Sequence, residues 1–224
     1  MNNYVVSFGI GSYYIETIKR LEKSLDQFAP DIPRALWRSY PPGSPLHTEV
    51  PYAFKPYILK CAVQYSEYSN ILWVDSTLVA TKPLDKIFEH IEKHGWLFYK
   101  NGFTCGEWCT DKALEKHNIT RDEAMEIPDI TGCMIGLNAK NTIAMNFLSK
   151  WIEAANDGVS FLGDWNNNNN QCSLDKRCKG HRHDQVIASI IAYKMGMQTW
   201  EGYPDGYLSY YGQYSDSTIM VNIR

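Results

Sequence analysis

Two short stretches hold the residues best placed to do chemistry. The first is Asn70-Ile71-Leu72-Trp73-Val74-Asp75, a nearly continuous apolar run that ends on a carboxylate. Such a run reads as a buried strand, and an acid at its carboxyl end stands where open α/β sheets bind ligands. Asp is also a common cap of helices and turns, so position alone leaves both roles open to Asp75. The second stretch is Gly180-His181-Arg182-His183-Asp184-Gln185, just ahead of a helix whose core face is Val186, Ile187, Ile190 and Ile191. Capping of a helix that starts at Gln185 would account for Asp184. It would not account for His181-Arg182-His183 beside it. A carboxylate that can take a proton and a guanidinium that can offset negative charge stand together there.

The elements that must position these groups alternate between strand and helix. Tyr4 to Phe8 reads as a first buried strand, closed by Gly9-Ile10-Gly11-Ser12. Ile15, Ile18, Leu21, Leu25 and Phe28 follow at helical spacing. Ala35 to Trp37 predicts a second strand, Tyr52 to Tyr65 a helix, and the segment from Pro83 to about Glu92 a short one. Trp96 to Tyr99 and Cys133 to Leu137 read as strands, Thr142 to Ala155 and Asp184 to Tyr193 as helices. Thr120-x-x-Glu123 is a capping-box pattern. Residues 156–182 include the run Asn166 to Asn170 and predict a mobile surface loop. A weak strand is expected near Gln198 to Trp200, and the Tyr- and Gly-rich stretch from Tyr203 to Tyr214 is left unplaced. The expectation is one α/β domain over residues 1–224, with a mostly parallel sheet and helices on both faces.

Composition narrows the partners. A net charge of −3 argues against non-specific nucleic-acid binding. No apolar run is long enough to cross a membrane, and Met1-Asn2-Asn3-Tyr4 leads straight into a strand without a signal peptide. The expectation is a cytoplasmic protein. Cys61 and Cys133 read as core thiols. Cys105, Cys109, Cys172 and Cys178 lie in polar loops near His181 and His183, at spacings unlike those of a common zinc finger.

Phe54-Lys55-Pro56-Tyr57-Ile58-Leu59-Lys60, Ile71-Leu72-Trp73-Val74-Asp75-Ser76-Thr77-Leu78-Val79 and Pro83-Leu84-Asp85-Lys86-Ile87-Phe88 together resemble the GT-A glycosyltransferases. The similarity is closest to the retaining branch that includes glycogenin and galactinol synthase, and it implies a Rossmann-like fold. It further implies a nucleotide-sugar donor such as a UDP-sugar, and a hydroxyl acceptor on a glycan. In that family an Asp-x-Asp motif holds Mn2+ or Mg2+ against the donor diphosphate. Carried over, Asp75, Thr77 and His183 would bind the metal, although Thr77 replaces the motif's second acid. Ser7, Phe8, Gly9, Lys55, Asp75 and Ser76 would contact the donor. Asp184 would stand at the reacting centre with His183 and Arg182 beside it, because the family carries an Asp-Gln pair at this point. Thr131-Gly132-Cys133-Met134-Ile135-Gly136-Leu137-Asn138 looks like the family's strand near the acceptor, with Ile130 where an Asn is usual. Two other readings stand against this one. A non-catalytic sugar- or nucleotide-binding protein would keep the fold without turnover. A phosphohydrolase with Asp75 as nucleophile would normally carry that residue on its first strand.

Overall fold

The computed structural model describes residues 2–202, 206–210 and 213–223. Part of the unplaced Tyr203 to Tyr214 stretch, residues 203–205 and 211–212, lies outside them. The chain runs β1 (Asn3–Phe8), α1 (Ser12–Phe28), β2 (Arg34–Trp37), α2 (Phe54–Tyr65), β3 (Asn70–Val74) and β4 (Leu78–Ala80). It continues through α3 (Asp85–His94), β5 (Trp96–Leu97), β6 (Lys100–Thr104), α4 (Asp111–Lys116), α5 (Arg121–Met125) and β7 (Pro128–Ile130). β8 (Met134–Asn138), α6 (Thr142–Ala155), α7 (His183–Lys194), β9 (Leu208–Tyr210) and β10 (Met220–Asn222) complete it.

The central sheet has the order β2-β1-β3-β8-β5. β1 pairs in parallel with β2 and β3, whereas β8 runs antiparallel to both β3 and β5. The sheet is therefore mostly parallel, with one strand reversed. Both faces of β3 are covered, which is why its sequence is apolar throughout rather than alternating. Ile71 and Trp73 join the cluster under α2, α6 and α7, while Leu72 and Val74 join the one under α1 and α3. Burying side chains as large as Trp73, Trp151 and Phe88 contributes roughly 2–3 kcal/mol each before entropy is charged against it. A second sheet, β4-β10-β9, and the β6-β7 pair build out from the carboxyl end of the main one.

Most elements fall where periodicity puts them. Thr120 and Glu123 form the expected capping box. Three local expectations are corrected. Residues 198–200 form no strand, only an isolated bridge from Trp200 to Tyr99. Cys133 is half-buried just ahead of β8 and is not a core thiol. Helix α7 starts at His183, with Arg182 at its N-cap position and no side-chain cap, so Asp184 does not cap it.

Residues 156–182 are irregular, yet they pack closely onto the domain. Phe161, Cys172 and Cys178 are buried, and the Asn167 side chain binds the backbone of Cys172, Ser173 and Cys178. The polar composition of this stretch is used for internal hydrogen bonds. Gly180 is required here because a Cβ would collide with the Trp165 carbonyl. Gly180→Ala is expected to loosen the strap, and limited proteolysis should then cut within 156–182 at protease levels that leave the parent chain intact.

Candidate functional site

Three chain segments meet beyond the carboxyl end of β3. The backbone N–H of Asp75 donates to the Cys133 carbonyl at 2.8 Å, which extends the β3–β8 ladder by one residue and aims the acid at the sheet's edge. Lys55 comes from the first turn of α2 and Asp184 from the first turn of α7. Lys55 Nζ lies 3.2 Å from Asp75 Oδ1 and 3.1 Å from Asp184 Oδ2. It also donates to the Gly132 carbonyl at 3.0 Å. A Cβ on Gly132 would press to 3.2 Å from that ammonium and 3.4 Å from Asp184 Oδ2, so a glycine lets Lys55 and Asp184 close up. Trp73 Nε1 donates to Asp75 Oδ1, and Trp151 Nε1 donates to the Asp184 carbonyl, both at 3.0 Å.

The charges are strongly coupled. Burial works against the Lys55 ammonium, but Asp184 and Asp75 outweigh it and hold its pKa well above the ordinary lysine value. Burial pushes the Asp184 carboxyl up to about 6, with Asp75 adding to the rise and Lys55 opposing it. Lys55 is thus a fixed cation and Asp184 a carboxylate that can accept a proton near neutrality.

This triad divides two cavities. One, of about 210 Å3, is lined by Phe8, Gly9, Tyr14, Tyr40, Ser76 and Thr77 among others. The other, of about 370 Å3, is lined by Asn101, Trp108, Asp129, Arg182, Gln185 and Asn222 among others. Tyr52, Lys55 and Asp75 border both, while Asp184 borders only the second. The first has an aromatic wall suited to a flat ring, and the second carries the amide and charged side chains of Asn101, Asp129, Arg182 and Gln185.

The residues singled out from the sequence are placed as follows. Lys55, Asp75 and Asp184 come together. Phe8, Gly9, Ser76 and Thr77 line the first cavity. Ser76 accepts a hydrogen bond from Thr17 at 3.0 Å. Ser7 is fully buried in β1 and lines neither cavity. Arg182 faces the second cavity, with its guanidinium carbon 3.4 Å from the Trp108 ring centre and 3.9 Å from that of Trp165. It donates to the Trp165 carbonyl at 2.7 Å and makes no ion pair among the described residues. Burial lowers its pKa to about 10, which leaves it charged at neutral pH. His183 lines neither cavity: its ring lies between those of Tyr52 and Trp165, and Nδ1 meets the Phe161 carbonyl at 3.0 Å. Burial lowers it to about 4, so it is neutral at physiological pH. His181 is fully buried between the Thr110 N–H and the Ser160 carbonyl. Among the described residues no three His, Cys, Asp or Glu side chains group closely enough to hold a metal, and the six cysteines are free thiols.

Sequence reasoning missed Asp129. It is fully buried and accepts from Gln185 Nε2 at 2.5 Å, Asn101 Nδ2 at 2.7 Å and Ser189 Oγ at 2.8 Å. Gln185 in turn accepts from the Gly132 N–H at 3.0 Å, so its amide is held at both ends beside Asp184. Burial raises Asp129 to about 6 against these hydrogen bonds. Only the pairing of β7 with β6 brings Asp129 and Asn101 together, and residues this far apart carry no shared signal in the sequence.

No family model and no curated protein matches the sequence. Among solved structures, the chain is similar to a glycosyltransferase involved in glycosylation of the major capsid of PBCV-1, at TM-score 0.57 and 11% identity, covering 99% of this chain and 92% of that one. It is similar to the WbbM bifunctional glycosyltransferase in its apo structure, at 0.56 and 12%, covering 97% of this chain but only 45% of that one. Mouse xyloside xylosyltransferase 1, in its apo form, matches at 0.52 and 9%, covering 98% and 97%. At these identities the likeness is one of fold, and that fold is the one these glycosyltransferases share.

Proposed function

We propose that this chain is a GT-A-type glycosyltransferase that moves a hexosyl or deoxyhexosyl group from a nucleoside-diphosphate donor to a hydroxyl on a glycan. The observation that carries the reading is the Lys55 ammonium held between Asp75 and Asp184 at the border of the two cavities. Leaving diphosphate needs positive charge beside it, and Lys55 keeps one fixed there. The acceptor hydroxyl must lose a proton, or the oxocarbenium charge must be offset, and Asp184 can do either. The aromatic first cavity suits the nucleotide, where a Cβ on Gly9 would stand 2.6 Å from the Tyr14 carbonyl and close the strand–helix turn that borders it. The second cavity suits the two sugars. The glycogenin-like branch remains part of the proposal on the strength of the Lys55, Asp75 and Asp184-Gln185 motifs. The six free thiols suit a reducing, cytoplasmic setting.

Thermal melting against UDP-, GDP-, dTDP- and CMP-sugars tests it. A ligand at about a hundred times its Kd stabilises the native state by about 2.7 kcal/mol, which raises Tm by several degrees. One base class is expected to shift the transition, and the others not. Absence of a shift with every donor would overturn the reading. A shift without turnover in a full acceptor screen would favour the non-catalytic binding protein.

A further inference from the structure

Arg182 carries a charge that no carboxylate among the described residues answers. Arg34, Arg38, Arg121 and Arg177 each reach an acid within ion-pair distance. Arg182 reaches none, although it is half-buried and charged at neutral pH. Native proteins ordinarily pair a cation that is taken partly out of water. The guanidinium is nonetheless held in one position. The Trp108 and Trp165 rings lie over it, with their centres at 3.4 and 3.9 Å. Nη1 donates to the Trp165 carbonyl at 2.7 Å, and the Arg182 backbone N–H donates to the Trp108 carbonyl at 3.0 Å. Trp165 is fixed in turn by stacking on the His183 ring. The remaining guanidinium N–H groups meet no protein acceptor among the described residues and stay open to solvent. With indoles over its faces, the group offers its edge, which meets the two oxygens of a carboxylate or phosphate side by side.

Trp108, Trp165 and Arg182 line the second cavity and not the first. Of the residues around that cavity, Phe103, which packs on Trp108, and Trp165 are exposed, whereas Asp129 and Asp184 are buried. Arg182 thus stands toward the open end and the acids at the closed one. Lys179, over the Phe103 and Trp108 rings, is already paired with Glu107 at 2.6 Å.

We propose that Arg182 selects acceptors that carry an anionic group, a carboxylate or a phosphate ester, so that the acceptor is an acidic glycan. This inference rests on the transferase reading. In that reading the donor sugar lies against Lys55 and Asp184 at the buried end, and the acceptor enters past Arg182. The leaving diphosphate has Lys55, which borders both cavities, whereas Arg182 borders only the second. A neutral acceptor leaves the guanidinium unpaired, and an acidic one gains a charge-assisted pair.

The test uses matched acceptors on the intact protein. Gluco-, galacto- and mannopyranosides are each offered as the neutral hexoside, as the uronoside and as the phosphate monoester at the same carbon. Transfer is followed with the donor identified by melting. Binding without donor is followed by tryptophan fluorescence, since two indoles flank Arg182. The parent is expected to favour an acidic member over its neutral counterpart about tenfold or more in kcat/KM, mainly through KM. Preference for the uronoside or for the phosphate ester names the group. Arg182→Gln is expected to erase the preference. Should it fail to fold, Arg182→Lys, which keeps the charge but not the planar fork, is expected to weaken binding of the acidic member several-fold, and unchanged binding overturns the inference. A parent that transfers equally well to neutral and acidic acceptors also overturns it and leaves the transferase reading standing. So does a folded Gln variant that keeps the parent's preference, or one that loses transfer to neutral and acidic acceptors alike, the mark of a role at the diphosphate. Acidic glycosides bound through Arg182, by a protein that transfers no sugar, support the anion site and sink the transferase reading instead.

Discussion

Asp184→Asn is expected to lower glycosyl transfer by about 10²–10⁴-fold, the range set by loss of a positioned proton acceptor. The substitution keeps the side chain's shape, leaves Lys55 paired with Asp75, and leaves Trp151 donating to the residue's carbonyl. Donor binding, read by the same melting shift as in the parent, should therefore persist while kcat falls. Unchanged transfer by a folded Asp184→Asn protein would remove Asp184 from the reacting centre. The parent should lose activity as pH falls through about 6, where Asp184 takes up its proton. Asp129 titrates in the same range, so Asp129→Asn is the control. If Asp184 carries the acid limb, that variant keeps it.

Lys55→Met is expected to destabilise the fold by about 3–5 kcal/mol at pH 8, or roughly 10 °C in Tm. The loss comes from two carboxylates stranded without their shared cation, one of them fully buried. The sign of its pH dependence follows from Asp184. Its folded pKa already lies above the unfolded value, so what the group contributes to folding is full below about pH 4 and is lost as pH rises through about 6. Removing Lys55 moves that upper limit higher still. The gap between variant and parent should therefore narrow at pH 5 relative to pH 8, measured by chemical denaturation at both. A deficit that is the same at the two pH values would mean that Lys55 acts by packing alone.

Much of the site was legible in the sequence because its principal groups sit on regular elements. Lys55 and Asp184 each stand in the first turn of a helix with an apolar face, and Asp75 ends a strand too apolar to be anything but buried. Period and polarity locate such positions. What was not legible depended on pairing between distant segments. Asp129 and Asn101 meet through β6 and β7, and Asn222 is brought to the wall of the second cavity by β10, a strand of three residues with no signal of its own length. His183 misled for a related reason. Its neighbours Arg182 and Asp184 do face the second cavity, but at a φ of 48° the backbone turns left-handed at His183 and sends its ring between Tyr52 and Trp165. Residues 156–182 read from composition as a mobile surface loop, whereas the Asn167 side chain ties together the backbone of Cys172, Ser173 and Cys178.

The pairing of β4 with β10 also dictates an order of assembly. The main sheet's pairs β1–β2, β1–β3 and β3–β8 join segments that emerge early or in the middle of synthesis, and they can collapse around their shared core while the rest is still being made. The wall beside Asp75 cannot form then, because Asn222 must first return across most of the chain's length to meet Leu78. Closing so long a loop is entropically slow, and contacts of high sequence separation tend to form late. A chain truncated before β10 and released would thus hold a folded centre with Lys55 and both carboxylates on their elements, but an incomplete pocket. Ligand competence would follow the pairing of β4 with β10, separable in time from the acquisition of the core.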